Sequence, residues 1–366
     1  MKRLAALLLA GCGGHPAVDA ARVLVQGVGV TQTDCRGGVC QHNENTDLVS
    51  WNGALWLVHR TAQSQVLGPD SSLRIYRSTD QGATFALQTI LPAVNGRDIR
   101  DPAFYVVDGV LRMKALSRLP VTSARDSGVD TVALGTRSLD GVHWDDWTEL
   151  APHGWSFWRV KEFAGVCYSA AYQDGDQSVD LYRSPDGASW ERVGQVYGVS
   201  ADTPLETELV FMPSGRLLAL VRMDGNDQEL LGTQGRLRTR VCWAQPPYSS
   251  FDCSQEIDGQ RLDGPLAFFW RSRLMVVARK HLGADGRKRT SVFELTGNFE
   301  GGPLQIRELH ELPSAGDTAY AGGTLLNDGR MLLSWYSSDL HRDPDWVYGQ
   351  LTASDIWTAV IDPSKM

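Results

Sequence analysis

Arginine, glutamate and tyrosine side chains recur at two fixed distances from a series of predicted turns, and together they could hold a charged ligand. Arg60, Arg222 and Arg279 stand seven residues after the turn residue, whereas Glu206 and Tyr320 stand nine residues before it. A guanidinium group binds a carboxylate through paired N–H donors. The spacing therefore predicts a site for a small anion, provided that the fold brings these positions together.

Six copies of one hairpin pattern supply that spacing. Each copy is an apolar strand, a tight turn and a second apolar strand, and the turns are Asn52-Gly53, Asp108-Gly109, Ala164-Gly165, Ser214-Gly215, Arg271-Ser272 and Asp328-Gly329. The second residue of each turn, here called the turn residue, follows the previous one after 56, 56, 50, 57 and 57 residues. Strand units that repeat about every fifty residues are typical of propellers, so the sequence predicts an all-β, six-bladed β-propeller.

The two repeat positions should lie beside each other, because both fall at the open end of an antiparallel hairpin. They hold Arg60, Leu116, Tyr172, Arg222, Arg279 and Tyr336 after the turn, and Glu44, Arg100, Ser156, Glu206, Asp263 and Tyr320 before it. We expect both sets to ring one mouth of the propeller. Strand ends are often exposed and polar in any case, but that alternative does not explain three arginines at one repeat position.

Three similar turn motifs lie between the first hairpins. They are Ser78-Thr79-Asp80-Gln81-Gly82-Ala83-Thr84-Phe85, Ser138-Leu139-Asp140-Gly141-Val142-His143-Trp144 and Ser184-Pro185-Asp186-Gly187-Ala188-Ser189-Trp190. In each, we expect the aspartate to accept hydrogen bonds from turn amides and the glycine to take a positive φ. The motifs resemble the Asp-boxes, or BNR repeats, of the sialidase (neuraminidase) superfamily, where their role is structural.

Two longer segments also resemble this superfamily. The segment from Glu206 to Arg222 is similar to the one that carries the catalytic glutamate and an arginine of the carboxylate-binding triad, and the segment from Ala319 to Gly329 is similar to the one with the nucleophilic tyrosine, here Tyr320. The resemblance implies an exo-acting glycoside hydrolase for an acidic, sialic-acid-like sugar. A neutral phenol suits an anomeric carbon that bears a carboxylate. Because a phenol has an ordinary pKa near 10, it needs an adjacent base, here Glu206, with Glu208 as a second candidate.

The carboxylate-binding residues are less well defined. Candidates for the substrate-binding mouth are Arg60, Arg100, Arg222, Arg279, Trp158 and Tyr336. The Arg-Ile-Pro signature of the first triad arginine is absent, and the corresponding segment, 42–47, places an acid where a base is expected. Two alternatives therefore stay open: a glycosidase or lyase for another sugar, and a non-catalytic propeller that binds a glycan or a protein.

An aspartate should supply the general acid. The superfamily takes this residue from the first blade, and Asp70 is the positional candidate. Asp98 and Asp101 are rivals, and Asp101 precedes Pro102 at a predicted strand start. The run from Arg97 to Asp101 contains two arginines and two aspartates, so mutual salt bridging is the alternative explanation.

The N-terminus has the pattern of an export signal. Met1-Lys2-Arg3 precedes an apolar run, and the stretch Leu8-Leu9-Ala10-Gly11-Cys12 resembles the lipobox of bacterial lipoproteins. The resemblance implies cleavage before Cys12 and lipidation of its thiol, whereas the alternative is an ordinary signal peptide. The predicted organisation is a signal peptide over 1–12, a tether over 13–22 and the propeller over 23–366, in a periplasmic or cell-surface, lipid-anchored protein.

Five cysteines follow Cys12. Cys35 and Cys40, and likewise Cys242 and Cys253, are spaced for disulfides in an exported protein, whereas Cys167 lies in an apolar strand as a buried thiol. Zinc is the alternative for the first pair, but no second pair matches it. The sequence thus predicts neither a metal nor a cofactor. With a net charge of −8, nucleic-acid binding has no support, and we expect a monomer that binds a glycan or glycoconjugate.

Overall fold

The computed structural model describes residues 16–66, 68–94, 96–119, 130–173, 178–198, 203–225, 237–283 and 286–366. The strands of its first half are β1 Arg22–Val25, β2 His42–Trp51, β3 Ala54–Ala62, β4 Ser72–Ser78, β5 Ala86–Pro92, β6 Asp98–Val107, β7 Val110–Arg118, β8 Val132–Ser138, β9 Thr148–Glu149, β10 Trp155–Phe163, β11 Val166–Gln173, β12 Val179–Ser184 and β13 Glu191–Tyr197. Those of the second half are β14 Pro204–Phe211, β15 Leu217–Met223, β16 Arg238–Ala244, β17 Asp252–Asp258, β18 Asp263–Trp270, β19 Arg273–His281, β20 Lys288–Gly297, β21 Leu304–Leu312, β22 Thr318–Leu325, β23 Met331–Ser338 and β24 Ser354–Ile361. A short helix, α1 Trp346–Gln350, and a 3₁₀ turn, Pro363–Lys365, complete the described elements.

The strands form an all-β propeller, as the sequence predicts, but not six separate sheets. Four sheets contain four strands each: β6 to β9, β10 to β13, β14 to β17 and β18 to β21. The other strands form one sheet in the order β22-β23-β24-β2-β3-β4-β5, with β1 paired to β24. The expectation that each hairpin unit forms its own sheet is therefore not met by the first and sixth units, whose strands share one sheet. The physical reason is a single parallel pair, His42 with Ser354, which joins β2 to β24.

All six predicted hairpins are present. They pair β2 with β3, β6 with β7, β10 with β11, β14 with β15, β18 with β19 and β22 with β23, all antiparallel. In the first of them, Asn52 and Gly53 have φ values of 48° and 71°. Positive φ at both central residues matches the twist of the flanking strands. Asparagine and glycine tolerate that conformation best, which is why this dipeptide marks the turn.

The N-terminal strand closes the ring, but it is shorter than the alternating run from Val23 to Val30 suggests. It covers Arg22–Val25 and pairs antiparallel with β24. The amides of Gly27 and Val28 both donate to Oδ1 of Asp355, at 2.7 and 2.9 Å. These two amides are therefore satisfied by a side chain rather than by a neighbouring strand, and the pairing ends at Val25.

The apolar core consists of layers between neighbouring sheets. One layer joins β14–β16 to β18–β20 and includes Leu220, Val241 and Val276. The three Asp-centred turns dock on the preceding hairpin unit, since a side chain at Gly141 would overlap the ring of Trp56. Each turn has the expected hydrogen bonds; Asp140 Oδ1, for example, accepts from the amides at 142 and 143, both at 2.8 Å. These turns brace adjacent sheets and have no described contact with the mouth.

The structure pairs Cys35 with Cys40 and Cys242 with Cys253, and it buries the free thiol of Cys167. Cys12 lies outside the described residues, as does the rest of the proposed signal peptide. Among the described residues, none of the helices is both long and apolar enough to span a bilayer.

Candidate active site

A β-bulge interrupts the first strand of every hairpin near its open end. The register shifts lie between Glu44 and Asp47, Arg100 and Ala103, Phe157 and Val160, Pro204 and Thr207, Asp263 and Leu266, and Ala319 and Gly322. Asn45, Asp101, Gly264 and Tyr320 adopt positive φ at these bulges, between 46° and 57°. Bulges re-aim side chains and are common beside active sites. Here the bulges direct side chains near the start of each hairpin's first strand toward residues of other sheets.

Tyr320 and Glu206 meet across two different sheets. The Tyr320 hydroxyl donates a short hydrogen bond to Oε1 of Glu206. Nη1 of Arg222 donates to both oxygens of Glu206, at 2.9 and 2.8 Å, and lies 3.3 Å from the Tyr320 oxygen. Glu206 is buried and Tyr320 is half-buried. These three residues, which the repeat places at one mouth, are in direct contact in the structure.

The two acidic groups of this cluster have displaced pKa values. Burial raises the pKa of Glu206, although the nearby Arg222 opposes the shift. Burial, and then the Glu206 carboxylate, raise the pKa of Tyr320 well above its ordinary value. The phenol is therefore neutral at neutral pH. It can act as a nucleophile only if Glu206 accepts its proton as the new bond forms.

Arg222 is already occupied by acids of its own chain. Nε donates to Oδ1 of Asp224 at 2.6 Å and Nη2 donates to Oδ2 at 3.0 Å. Asp263 lies 3.3 Å from Nε on the other side. With Nη1 committed to Glu206, this arginine chiefly orients the glutamate and has little donor capacity left for a ligand.

Arg279 lies next to this cluster, and its guanidinium group is less fully hydrogen-bonded than that of Arg222. Nε donates to the Thr318 carbonyl at 2.8 Å, and Nη2 donates to Oδ1 of Asp317 at 2.8 Å and to the Tyr336 hydroxyl at 3.0 Å. Its guanidinium carbon lies 5.4 Å from the centre of the Tyr320 ring. Nη1 lies 3.7 Å from Oδ2 of Asp263, beyond hydrogen-bond distance, so it is less firmly held than the other two nitrogens.

Arg60 and Arg100 belong to a second cluster. Arg60 is fully buried; it donates to Asp98 at 2.8 and 3.0 Å and to Glu44 at 2.5 Å. Arg100 Nε donates to Asp98 at 2.9 Å. The salt bridging considered for the run 97–101 is therefore present at Asp98. In the described part of the chain, neither arginine contacts Tyr320 or Glu206.

Asp70 and Asp101, two of the candidate general acids, lie in different parts of the structure. Asp70 accepts a hydrogen bond from Gln63 at 3.0 Å and lies 2.7 Å from Sγ of Cys35, so it belongs to the disulfide loop. Asp101, by contrast, lines a small pocket together with Tyr320 and Trp158. Its charge also contributes to the raised pKa of Tyr320. Of these two candidates, Asp101 is the one that lies beside Tyr320.

Trp158 forms one wall of this pocket. Its ring meets that of Tyr320 edge-on, with 5.5 Å between the centroids, and its Nε1 donates to the Pro265 carbonyl at 3.0 Å. The Tyr336 ring lies 6.1 Å from the Tyr320 ring. Glu208, the alternative base, is buried with Lys161 Nζ at 2.6 Å. Its Oε1 also accepts from the Ala267 amide at 2.6 Å, and no described contact joins Glu208 to Tyr320.

Sequence reasoning missed a buried lysine and a buried ion pair beside the same pocket. Lys114 donates to the Phe157 carbonyl at 2.8 Å, and its burial lowers its pKa to about 8. Asp47 Oδ1 lies 2.5 Å from Nη1 of Arg159. The available signal was position: Asp47 and Arg159 both stand six residues before a turn residue. Lys114 stands within an otherwise apolar strand.

The fold is similar to those of solved propeller proteins, although no protein-family model and no curated protein matches the chain. A protein of unknown function from Dyadobacter fermentans is 16% identical over 94% of this chain and 99% of its own, with a TM-score of 0.67. NanB sialidase from Streptococcus pneumoniae is 11% identical over 94% of this chain and 71% of its own, with a TM-score of 0.65. Penicillium chrysogenum alpha-L-arabinanase, solved with arabinobiose, is 15% identical over 96% of this chain and 100% of its own, with a TM-score of 0.63. Such identities show the fold alone, which is a sialidase-like propeller of the kind that glycoside hydrolases use.

Proposed function

We propose that the protein is a retaining, exo-acting glycoside hydrolase in which Tyr320 is the nucleophile and Glu206 its base. The observation that carries this proposal is the short hydrogen bond from the Tyr320 hydroxyl to Glu206, with Arg222 on the same carboxylate. A tyrosine beside a buried glutamate, at the edge of a pocket walled by a tryptophan, is the pairing that an activated phenol requires.

The proposed reaction has two steps. The Tyr320 oxygen bonds to the anomeric carbon as the glycosidic bond breaks, Glu206 accepts the phenolic proton, and Asp101 gives a proton to the departing oxygen. Water then attacks the same carbon, Asp101 takes its proton, and the tyrosine leaves with the proton held by Glu206. Sugar, enzyme and water thus balance, and the anomeric configuration is retained.

The proposed substrate is an acidic sugar. The guanidinium group of Arg279 is the candidate partner for its carboxylate, because Nη1 has only a loose ion pair, 3.7 Å from Oδ2 of Asp263. Arg279 lies over the Tyr320 ring, so its Nη1 is well placed to hold a substrate carboxylate. The N–H donors of Arg60 already bind Glu44 and Asp98, and those of Arg222 bind Glu206 and Asp224.

A neutral sugar is the second candidate. All four arginines expected to bind a substrate carboxylate already pair with carboxylates of this chain: Arg60, Arg100, Arg222 and Arg279. An anion must therefore compete for donors that are largely occupied. A glycosidase for another sugar fits this pairing, because a neutral ligand does not compete for the arginine donors.

A panel of fluorogenic glycosides tests both candidates. We expect purified protein without residues 1–12 to hydrolyse an acidic, sialic-acid-like glycoside. Turnover of neutral glycosides alone would replace the acidic sugar by the second candidate. If no glycoside in either group is hydrolysed, the protein is a binding propeller and the enzymatic proposal fails.

We propose further that the eight-stranded sheet corresponds to two blades, which gives six in all, because His42 with Ser354 is the single backbone bridge between β2 and β24 in the described chain. The apolar run before Cys12 supports export and lipid anchoring. Replacement of Cys12 by serine should then release the protein from the membrane fraction. A wild-type protein that is soluble and carries no acyl group would refute the anchor.

A further inference from the structure

His42, Glu44 and Asp317 meet in the interior of the eight-stranded sheet. His42 and Glu44 alternate along β2 and so point to the same side of the strand, and Asp317 immediately precedes β22. One imidazole nitrogen and one oxygen from each carboxylate lie within 4.8 Å of one another. The three side chains are 2%, 1% and 0% exposed. Three groups that commonly bind metals are thus held at ligand spacing without water around them.

Several atoms of this trio have no partner among the described residues. Both ring nitrogens of His42 are buried and make no hydrogen bond to the described part of the chain. Oδ2 of Asp317 is likewise buried without a hydrogen bond there, although the Tyr336 hydroxyl interacts with the Asp317 carboxylate. Nδ1 of His42 and Oε2 of Glu44 are 3.9 Å apart, which is too far for a hydrogen bond. Buried polar atoms without partners are costly and uncommon, and they often mark an unseen ion.

The opposite oxygens of the two carboxylates are firmly held. Oε1 of Glu44 accepts from Arg60 at 2.5 Å. Oδ1 of Asp317 accepts from Arg279 at 2.8 Å and from Nε1 of Trp346 at 3.0 Å. Outer hydrogen bonds of this kind orient the ligands of a metal. They leave the second oxygen of each carboxylate for a common occupant.

We propose that His42, Glu44 and Asp317 bind one divalent transition-metal ion of the zinc class. An imidazole nitrogen with two carboxylate oxygens suits zinc, whereas calcium takes six to eight oxygens. Because the ligands come from β2 and from the residue before β22, the ion would join the two halves of the eight-stranded sheet. Its role is to stabilise the closed ring.

The surrounding charges set a condition on this site. Arg60, Arg100 and Arg279 are balanced by Glu44, Asp98 and Asp317, so a divalent ion adds two positive charges to a neutral cluster. A bound hydroxide or a small carboxylate offsets that charge. Zinc should therefore bind more tightly when acetate is present than in a non-coordinating buffer.

The experiment measures metal binding rather than activity, so it stands apart from the proposed hydrolase. Protein without residues 1–12 is stripped with chelator under non-reducing conditions, dialysed against zinc and analysed by mass spectrometry for metal. We expect one equivalent of zinc and a higher melting temperature in the wild type. Both should be lost in Asp317→Asn, which keeps the shape of the side chain, and in His42→Ala.

His59→Ala is the matched control, because His59 is also buried with an unpartnered Nε2 but belongs to no group of this kind among the described residues. It should keep its zinc. Cobalt substitution should give a visible spectrum without a thiolate band, which excludes the cysteines. Wild-type protein that retains less than about a tenth of an equivalent, or Asp317→Asn that retains a full one, overturns the proposal. If His42→Ala does not fold, Asp317→Asn and Glu44→Gln decide.

Discussion

The first and fourth hairpin units carry the same two residues at the same repeat positions. Glu44 and Arg60 pair in the first unit, and Glu206 and Arg222 pair in the fourth, each with the glutamate nine residues before the turn residue and the arginine seven after it. Both arginines also bind an aspartate, Asp98 or Asp224, from beyond the hairpin.

The two pairs differ in the residue that the sixth hairpin unit places beside each glutamate. Glu206 accepts a hydrogen bond from the hydroxyl of Tyr320, the proposed nucleophile, and Tyr320 in turn lines a pocket. Glu44 instead faces His42 and Asp317, inside the sheet. The repeat therefore fixes where an ion pair stands, and the sixth hairpin unit distinguishes the two pairs, because it brings Tyr320 to Glu206 and Asp317 to Glu44.

The largest effect should follow from loss of the nucleophile in the fourth unit. Tyr320→Phe removes the attacking oxygen, and turnover of the active glycoside should fall on the order of a thousandfold or more. Thermal stability should change little, because the ring still packs against Trp158. Steady-state kinetics and a melting curve measure both effects.

Tyr105→Phe is the control for that substitution. Its buried hydroxyl donates to the Gly187 carbonyl, remote from the mouth. Its loss should reduce stability and leave the rate per folded molecule unchanged. Near-normal turnover in Tyr320→Phe would end the nucleophile assignment.

A smaller effect should distinguish the two aspartates at the start of β6. Asp101→Asn removes the proposed acid, so we expect about a hundredfold loss on substrates with poor leaving groups and much less on activated ones. Asp98→Asn instead weakens the ion pairs of Arg60 and Arg100 and should reduce stability. Equal losses with good and poor leaving groups in Asp101→Asn would show that it is not the acid.

The buried ion pair of the first unit should matter chiefly for stability. Arg60→Met leaves Glu44 and Asp98 buried without their partner, and removal of one member of a buried pair costs about 3 kcal/mol or more. Urea unfolding at neutral pH measures the loss. Arg183→Met is the comparison, because its pair with Glu191 is solvent-exposed and contributes under about 1 kcal/mol. Similar losses in both variants would contradict the structural role of Arg60.

The mouth was predictable from the sequence because it depends on local rules. Hairpin turns set the register, and the period of two along each strand brings Glu206 and Tyr320 to the same end. The bulges carry no comparable signal, and they bring Asp47 to Arg159. Two of the acids that pair with the arginines, Asp224 and Asp317, were also missed, since they fall outside the repeat positions that were compared. Contacts between different sheets depend on how the ring closes, and the sequence of one hairpin unit does not determine that.

The smallest expected effect concerns the pKa of Glu206, the proposed base in the fourth unit. Glu206 must be ionised to accept the phenolic proton, and its pKa is raised, first by burial and then in part by the Asp224 and Asp263 carboxylates. Activity should therefore fall on acidification at a higher pH than for an ordinary glutamate, whose pKa is near 4.3. Asp224→Asn removes one negative charge, so the pKa of Glu206 should decrease and the acid limb of the kcat/KM profile should move to lower pH. Asp98→Asn, the matching change in the first unit, should leave that limb in place. A shift to higher pH in Asp224→Asn would mean that the weakened hold on Arg222 outweighs the lost charge, and Glu206 would then depend on Arg222 more than on its acidic neighbours.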